Sequence, residues 1–296
     1  KEEICPAYRG IDYILTSIVV NFTIAMKKFI FSKIAVLSIL LMSCSCGNEE
    51  VTPENKLTEL PAAFGAFDEA NTTIMLDGDE IIIESNGLPN HTSPYWSNTT
   101  RREATDPRGN LLVTEAASAN HPLFVNPTYT SFGQMAPGNI DDFNGAYTLV
   151  VPAIPTKASS SSSTGLGPIG IAVSGSMIYN DEEGPNIPLD DAAPSLDYNG
   201  AHTGPQSYHY HLEPLAFSDD DDNLIGIISD GFFLYGRKCA STGDYPNDLD
   251  VSGGHTSITK YNQEQQYHYH IQNELYLNKY YILFPGNYQG SPNAIN

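Results

Sequence analysis

Short runs of alternating or continuous apolar residues, separated by turn residues, recur along the chain after residue 70. Thr73–Leu76 and Glu80–Glu84 are rich in β-branched residues and flank Asp77–Asp79, a pattern typical of a β-hairpin. Ala146–Ile154 is mostly apolar and predicts a further strand. The serine-rich stretch Lys157–Gly167 that follows has no apolar period, so it predicts an exposed loop.

Two apolar stretches farther along the chain resemble each other and precede the same histidine motifs. Pro168–Asn180 and Leu224–Gly236 both contain Ile-Gly-Ile, then a glycine and a tyrosine at matching spacings. Each is followed by Gly-x-His-Thr and by Tyr-His-Tyr-His, which begins at Tyr208 and again at Tyr267. Three shared segments in one order predict an internal duplication of about 56 residues. Each run favours a buried strand with a bulge or close backbone approach at glycine.

These patterns together predict an all-β fold with few helices. We expect one domain over residues 70–296, a β-sandwich or a barrel-like structure in which two related β units share one core. The composition agrees, because 18 Tyr, 24 Gly and 20 Pro favour strands and turns over long helices. Hydrophobic residues make up 41% of the chain, which is enough for a packed core and argues against wholesale disorder.

The start of the chain has the layout of an export signal. We expect residues 1–25 to be an upstream extension outside the mature protein. Residues 26–43 then have a basic start, a short apolar run and small residues, as in a signal peptide. The apolar run Ile34–Met42 is too short to span a bilayer as a helix.

The end of this signal resembles a bacterial lipobox, carried by Leu41-Met42-Ser43-Cys44. The resemblance implies that Cys44 is lipidated and begins the mature chain; an ordinary cleaved signal with incidental cysteines is the alternative. Residues 44–69 are polar and predict a tether to the folded part. We therefore expect a lipid-anchored protein of the cell envelope, at the outer membrane or the cell surface.

Charge and cysteine content narrow the partners further. The chain has 35 acidic and 14 basic residues, a net charge of −21. Such a surface repels nucleic acid and attracts cations. Of the 4 cysteines, Cys239 lies far in sequence from Cys46, its only available partner if Cys44 carries lipid, so we expect no structural disulfide.

The repeated histidines are the candidate chemistry. In a strand, residues i and i+2 share a face about 6.6 Å apart, so His209 and His211 point the same way, as do His268 and His270. Two imidazoles at that spacing can reach one metal ion, and imidazole-rich sites suit Zn, Cu, Fe or Ni. We expect Zn or Cu as the cofactor, with both histidine pairs in or near one site.

Neighbouring residues extend this candidate site. His202 and His255 lie on flanking segments and are candidate third ligands, and Glu213 continues the first histidine face as a candidate base. Two alternatives stay open. Tyrosine could face the core and histidine the solvent, or the histidines could form a metal-free cluster for acid–base chemistry near neutral pH.

The motifs resemble those of the YHYH-domain proteins, a largely uncharacterised family. Ser85–His91 is similar to an early Gly-x-Pro-x-His motif, Gly167–Val173 to a central strand, and Ser229–Gly236 to an Asp-Gly-x-x-(Ile/Leu)-Tyr-Gly motif. The resemblance extends over about Thr72–Gly290. It implies a domain rather than an activity, and it adds His91 to the candidate metal ligands. The cysteines that members often have near the Gly-x-His and the C-terminal glycine are absent.

The second repeat has Asp230 where the first has Ser174, which makes the second the better catalytic candidate. Asp230 could orient an imidazole or simply cap a turn before glycine. Three functions follow: a transition-metal-binding protein, a metal-dependent hydrolase or oxidase, and a structural or glycan-binding surface module. No serine-hydrolase elbow, P-loop or dinucleotide fingerprint is present in the sequence.

Overall fold

The computed structural model describes residues 56–93, 95–96, 140, 143, 145–204, 207–278 and 280–296. Cys44, the predicted signal peptide and the first part of the predicted tether lie outside these residues. Within the described ranges, regular structure consists of strands and short 3-10 turns, so the all-β prediction is confirmed. No helix in this part of the chain is long and apolar enough to cross a membrane.

The strands are numbered in chain order. They are β1 (Thr72–Asp77), β2 (Glu80–Ser85), β3 (Tyr147–Pro152), β4 (Ser162–Ser163), β5 (Gly170–Ala172), β6 (Met177–Ile178), β7 (Glu182–Gly184), β8 (Ile187–Pro188), β9 (Ala201–Thr203), β10 (Tyr208–Tyr210), β11 (Leu224–Ile228), β12 (Phe233–Tyr235), β13 (Gly254–Ser257), β14 (Gln266–His270), β15 (Leu275–Tyr276), β16 (Tyr280–Tyr281) and β17 (Asn287–Tyr288).

The predicted hairpin and the strand after it form a three-stranded antiparallel sheet, β1-β2-β3. The hairpin turn uses Gly78, whose φ of +64° suits a residue without a Cβ. Alternate residues of β2, Ile81 and Ile83, are buried. On β3, Leu149 and Val151 are buried in register with them, so one face of this sheet packs into the core.

An eight-stranded sheet carries both histidine motifs. Its order is β13-β14-β12-β11-β5-β6-β10-β9. Outward from β5 the strands are β6, β10 and β9, and outward from β11 the corresponding strands are β12, β14 and β13. The Tyr-His-Tyr-His strands β10 and β14 are therefore second from the two edges of the sheet. This symmetry agrees with the sequence repeat, and the duplication itself stays a prediction.

Glycine allows the two halves to meet at the centre of this sheet. A Cβ on Gly170 would lie 2.6 Å from the Ile227 carbonyl oxygen, and one on Gly226 would lie 2.8 Å from the Ala172 Cα. The glycine of each Ile-Gly-Ile motif therefore permits close approach of β5 and β11, as expected. A register shift between Leu224 and Gly226 marks a bulge in β11.

Each apolar repeat was expected to be one strand and is instead a tight hairpin. The first run divides into β5 and β6, and the second into β11 and β12. The turns contain Gly175 and Gly231, with φ values of +103° and +91°. These conformations are rarely adopted by residues with a side chain, so the second glycine of each run reverses the chain.

The packed part of the chain starts earlier than the expected boundary at residue 70. Ala62–Ala66 form a 3-10 turn in the stretch assigned to a polar tether. Phe64 is buried there and contacts Phe233 edge-on, with 5.1 Å between ring centroids. Ala63, Phe64 and Phe67 are all buried. The free energy gained by burying these apolar side chains stabilises packed structure in a segment that is otherwise mostly polar.

Three two-stranded sheets complete the fold: β15-β16, β17-β4 and β7-β8. The serine-rich stretch is largely exposed, as predicted, although Ser162 and Ser163 pair with Tyr288 and Asn287. The β7–β8 hairpin contains Glu183, whose carboxylate lies beside His202 and His211.

Candidate metal centres

The first cluster lies at one end of the eight-stranded sheet. His202 on β9 pairs with His209 on β10, and His211 follows two residues later on the same face. The three are only 7%, 2% and 1% exposed. Each offers a nitrogen within 4.8 Å of the other two, which is close enough to share an ion.

The second cluster occupies the corresponding place at the other end. His255 on β13 pairs with His268 on β14, and His270 follows on the same face. Cys239 joins these three, and all four donor atoms lie within 4.8 Å of one another. The structure thus forms two separate groups, whereas the sequence analysis expected both pairs in or near one site. The strand order explains this, because four strands separate β10 from β14.

Backbone carbonyls determine which nitrogen bears the proton in four of the imidazoles. His209 Nδ1 lies 3.0 Å from the Ser207 carbonyl oxygen, and His268 Nδ1 lies 3.0 Å from that of Gln266. His211 Nδ1 lies 2.6 Å from the Asn180 carbonyl oxygen, and His270 Nδ1 lies 2.7 Å from that of Gly236. A carbonyl only accepts, so each Nδ1 donates and each neutral ring keeps a lone pair on Nε2.

The remaining two imidazoles have the same tautomer for a different reason. His202 Nδ1 lies 2.8 Å from Ser195 Oγ, and that hydroxyl donates its own proton to the Ala192 carbonyl oxygen at 2.7 Å. Ser195 must therefore accept from His202. His255 Nδ1 donates to the Asp248 carboxylate at 2.8 Å. All six rings are thus held by Nδ1 with Nε2 free to bind an ion.

The six Nε2 lone pairs converge on two points. His202 Nε2 and His209 Nε2 are 3.0 Å apart, and so are His268 Nε2 and His270 Nε2. Two unprotonated nitrogens at that distance have no proton to share and repel each other. A bound cation removes that conflict, because both lone pairs then become ligands.

Each cluster has a different fourth donor. Glu183 Oε1 lies 3.3 Å from both His202 Nε2 and His211 Nε2. This oxygen and His211 Nε2 are buried without a hydrogen-bond partner, which is the arrangement expected of atoms that ligate an ion. In the second cluster, Cys239 Sγ lies 3.4 Å from His255 Nε2.

Burial keeps the four imidazoles of the two Tyr-His-Tyr-His motifs neutral. It lowers the pKa of His211 to about 4, of His268 to about 3 and of His270 to about 4, and it lowers the pKa of His209 well below the usual value. Neighbouring histidines add to the effect. The rings therefore present lone pairs, not protons, at neutral pH.

The Cys239 thiol is shifted toward its charged form. Burial acts to raise its pKa, and the Ser241 and Ser257 hydroxyls lower it overall. Ser257 Oγ also lies 3.2 Å from His255 Nε2 and borders the second cluster.

The tyrosines of the two motifs occupy the opposite face and belong to the apolar core. Tyr208 donates to Asp197, and Tyr267 to Asp250. Both aspartates also accept backbone N–H groups of the turn before the Gly-x-His segment. Each aspartate therefore ties the turn that delivers the first histidine to the strand that delivers the other two.

The solvent-facing interpretation of the histidines is wrong. His209, His211, His268 and His270 are as buried as the tyrosines between them. Each face of these strands is covered, and on the histidine face Tyr179 stacks on His209 with 3.8 Å between ring centroids.

Three other predicted site residues lie outside the clusters. His91 contacts the tyrosine face, where its Nδ1 and Nε2 lie 2.7 Å from the Thr92 carbonyl oxygen and 2.6 Å from the Tyr210 hydroxyl. Asp230 accepts from Tyr269 and from the Gly290 N–H, so it braces the strand and orients no imidazole. The turn-capping alternative describes Asp230 better, since the Asp230 carboxylate also accepts the Phe232 N–H.

Glu213, the candidate base, is also used elsewhere. Its Oε2 accepts from Arg237 Nε at 2.9 Å, and both side chains are nearly buried. The strand β10 ends at Tyr210, so the alternation that would have continued the histidine face stops before Glu213. The expected base is a structural ion-pair partner.

Sequence reasoning missed four residues: Glu183, Cys239, Asp248 and Ser195. The first two come from segments remote from the motifs and carry no local pattern. The sequence did contain a signal for the turns that precede the first histidine of each cluster. The pattern Leu-Asp-x-x-Gly-x-His-Thr occurs at Leu196–Thr203 and again at Leu249–Thr256, and its aspartates are those that hold these turns.

Three clefts in the described part of the chain have volumes of about 390, 570 and 310 Å³, and their lining residues include no cluster donor.

Comparison with known proteins identifies one family. Residues 148–247 match the family model described as YHYH protein. The match includes the whole first cluster and Cys239, and it ends before His255. No curated protein and no solved structure matches the chain.

Proposed function

Residues 148–247 carry a YHYH domain, and we propose that the chain binds transition-metal ions, one in each histidine cluster. The observation that carries the proposal is the convergence of Nε2 lone pairs, 3.0 Å apart within each cluster, with every Nδ1 proton already donated to an acceptor.

The donor sets favour Zn²⁺ or copper over Ca²⁺ or Mg²⁺. Three neutral imidazoles with one carboxylate or one thiolate suit a four-coordinate ion of the borderline or soft class. The alkaline-earth ions prefer sets made of oxygen. The net charge of −21 also draws cations toward the protein.

Elemental analysis of the full chain, purified without a polyhistidine tag, tests the proposal. We expect two transition-metal ions per chain after incubation with Zn²⁺ and removal of the excess. His209→Ala/His211→Ala and His268→Ala/His270→Ala should each lose one of the two ions. Absence of bound metal after incubation with Zn²⁺ and with copper would contradict the proposal.

His91→Ala is the matched control. It removes an imidazole of the same chemistry that contacts Tyr210 on the opposite face of β10. This variant should keep both ions. Loss of either ion from it would mean that general loss of histidine or of packing, and not removal of a ligand, explains the double variants.

We also propose that the protein is anchored to the cell envelope by lipid on Cys44. The support is the lipobox-like sequence after a short apolar run. Detergent phase partition of cell extracts tests it. The protein should enter the detergent phase and Cys44→Ala should not, whereas equal partition of the two would contradict the anchor.

A further inference from the structure

The two clusters share one ligand framework but differ in two positions. His202, His209 and His211 correspond to His255, His268 and His270, and the Nδ1 acceptors of the last two in each set are equivalent backbone carbonyls. The differences are the fourth donor and the partner of the first histidine.

We infer that the two sites have different metal preferences: the Cys239 site binds thiophilic ions such as Cu⁺, Zn²⁺ or Cd²⁺ tightly, and the Glu183 site binds borderline divalent ions more weakly. This inference rests on the proposed function, since it assigns the kind of ion to each cluster.

The fourth donor is the first reason. Thiolate sulfur is a soft ligand that selects Cu⁺ and Zn²⁺, whereas carboxylate oxygen is hard and also accepts Mn²⁺ or Fe²⁺. Cys239 is a free thiol, 1% exposed, so water does not compete with an ion for the sulfur. The Glu183 side chain is 23% exposed and comes from the short two-stranded β7–β8 hairpin, so it is less enclosed than the Cys239 thiol.

The support of the first histidine is the second, independent reason. Asp248 accepts from His255 Nδ1, which forms a carboxylate–histidine pair that makes Nε2 a stronger ligand. The corresponding His202 has only the neutral Ser195 hydroxyl. Both differences strengthen the second site, so the preference does not depend on the sulfur alone.

Cobalt spectroscopy of the full chain tests this inference. Full chain with Cys5→Ser/Cys44→Ser/Cys46→Ser, in which Cys239 is the remaining cysteine, is made metal-free and loaded with two equivalents of Co²⁺. The sulfur-to-cobalt charge-transfer band then reports the Cys239 site alone, while the visible d–d bands report both sites. Cd²⁺ is then added in steps. We expect the first equivalent of Cd²⁺ to abolish the charge-transfer band and to leave the d–d bands of the Glu183 site.

Two variants assign the bands. Cys239→Ser should bind Co²⁺ without the charge-transfer band and should bind Cd²⁺ at least about tenfold more weakly at that site. Glu183→Gln should keep the band and weaken only the other site. If Cys239→Ser does not fold, displacement of Co²⁺ by Cd²⁺ from the protein that retains Cys239 still tests whether the two sites have different preferences.

The outcomes separate this inference from the proposed function. Absence of Co²⁺ binding contradicts both. Two bound Co²⁺ ions without a charge-transfer band, or displaced by Cd²⁺ equally from both sites, contradict the different preferences alone and leave metal binding intact.

Discussion

At the scale of single residues, the imidazoles are oriented before any ion arrives. Each cluster histidine donates through Nδ1 to a carbonyl, a hydroxyl or a carboxylate, so its ring cannot rotate without breaking that hydrogen bond. Binding an ion therefore requires little ordering of the ligands, which favours affinity.

We predict that Asp248→Ala weakens the second site and leaves the first unchanged. Loss of the acceptor for His255 Nδ1 frees the ring to rotate and removes the charge that makes Nε2 a better ligand. The expected loss is about 10–100-fold in Zn²⁺ affinity, measured by chelator competition. Ser195→Ala is the counterpart for the first site. Equal loss at both sites in Asp248→Ala would contradict the prediction.

We predict that Glu213→Gln lowers stability without lowering metal content. The variant replaces the buried carboxylate partner of Arg237 by a neutral amide and leaves the more exposed Asp220 carboxylate, 3.2 Å away, as its remaining charged partner. The expected cost is therefore at or below the about 3–5 kcal/mol of breaking a buried ion pair. Urea unfolding measures the change, with the exposed Glu264→Gln as control. A variant of normal stability that loses metal would restore Glu213 to the site.

At the scale of elements, the position of each cluster follows from strand pairing. Antiparallel pairing of β9 with β10 and of β13 with β14 sets His202 opposite His209 and His255 opposite His268. Parallel pairing of β10 with β6 and of β14 with β12 then brings in the strands that lead to the Asn180 and Gly236 carbonyls.

We predict that Gly226→Ala destabilises the protein by about 1–3 kcal/mol or more. The new methyl group would meet the Ile171 carbonyl oxygen and the Ala172 Cα, and backbone atoms cannot move aside as a side chain can. Thermal and urea unfolding measure the loss. Gly165→Ala, with no atom within 4 Å of the added Cβ, should leave stability nearly unchanged. Equal stability of the two variants would mean that β5 and β11 can separate without cost.

At the scale of the whole molecule, burial of many neutral histidines links stability to pH. The folded pKa values of His211, His268 and His270, at about 3–4, lie below the value of about 6.5 for an unfolded chain. As pH falls below about 6.5, the unfolded state gains protons that the folded state cannot bind. Stability is therefore greatest above pH 6.5 and falls toward pH 4.

We predict that the unfolding free energy of metal-free protein decreases steadily from pH 7 to pH 4. Each net proton contributes about 1.4 kcal/mol per pH unit. Asp197, whose pKa burial raises to about 6, acts in the opposite direction, as do Asp181 and Asp230, whose pKa values burial also raises. The four buried histidines of the two Tyr-His-Tyr-His motifs outnumber these three aspartates. Urea unfolding at a series of pH values, with chelator present, measures the profile. A flat profile over this range would contradict the neutral, buried state of the rings.

The extent of successful prediction depended on how local each feature is. The hairpin around Gly78 and the shared face of His268 and His270 follow from turn chemistry and from strand alternation, and the structure has both. The apolar runs were harder, because a tight hairpin at Gly175 has the same composition as one buried strand. The sequence did not reveal that Asp230 and Glu213 lie outside the clusters, because their partners, Tyr269 and Arg237, lie 39 and 24 residues away.

The all-β class and the histidine pairs on each Tyr-His-Tyr-His strand could be predicted from the sequence, because strand geometry sets which side chains share a face within a few residues. Three features became visible only in the folded structure: the division of the pairs into two clusters, the positions of Glu183 beside one cluster and Cys239 in the other, and the hydrogen bond at every Nδ1. Those properties depend on which strands become neighbours and on which carbonyls they present, and strand order is a property of the folded sheet as a whole.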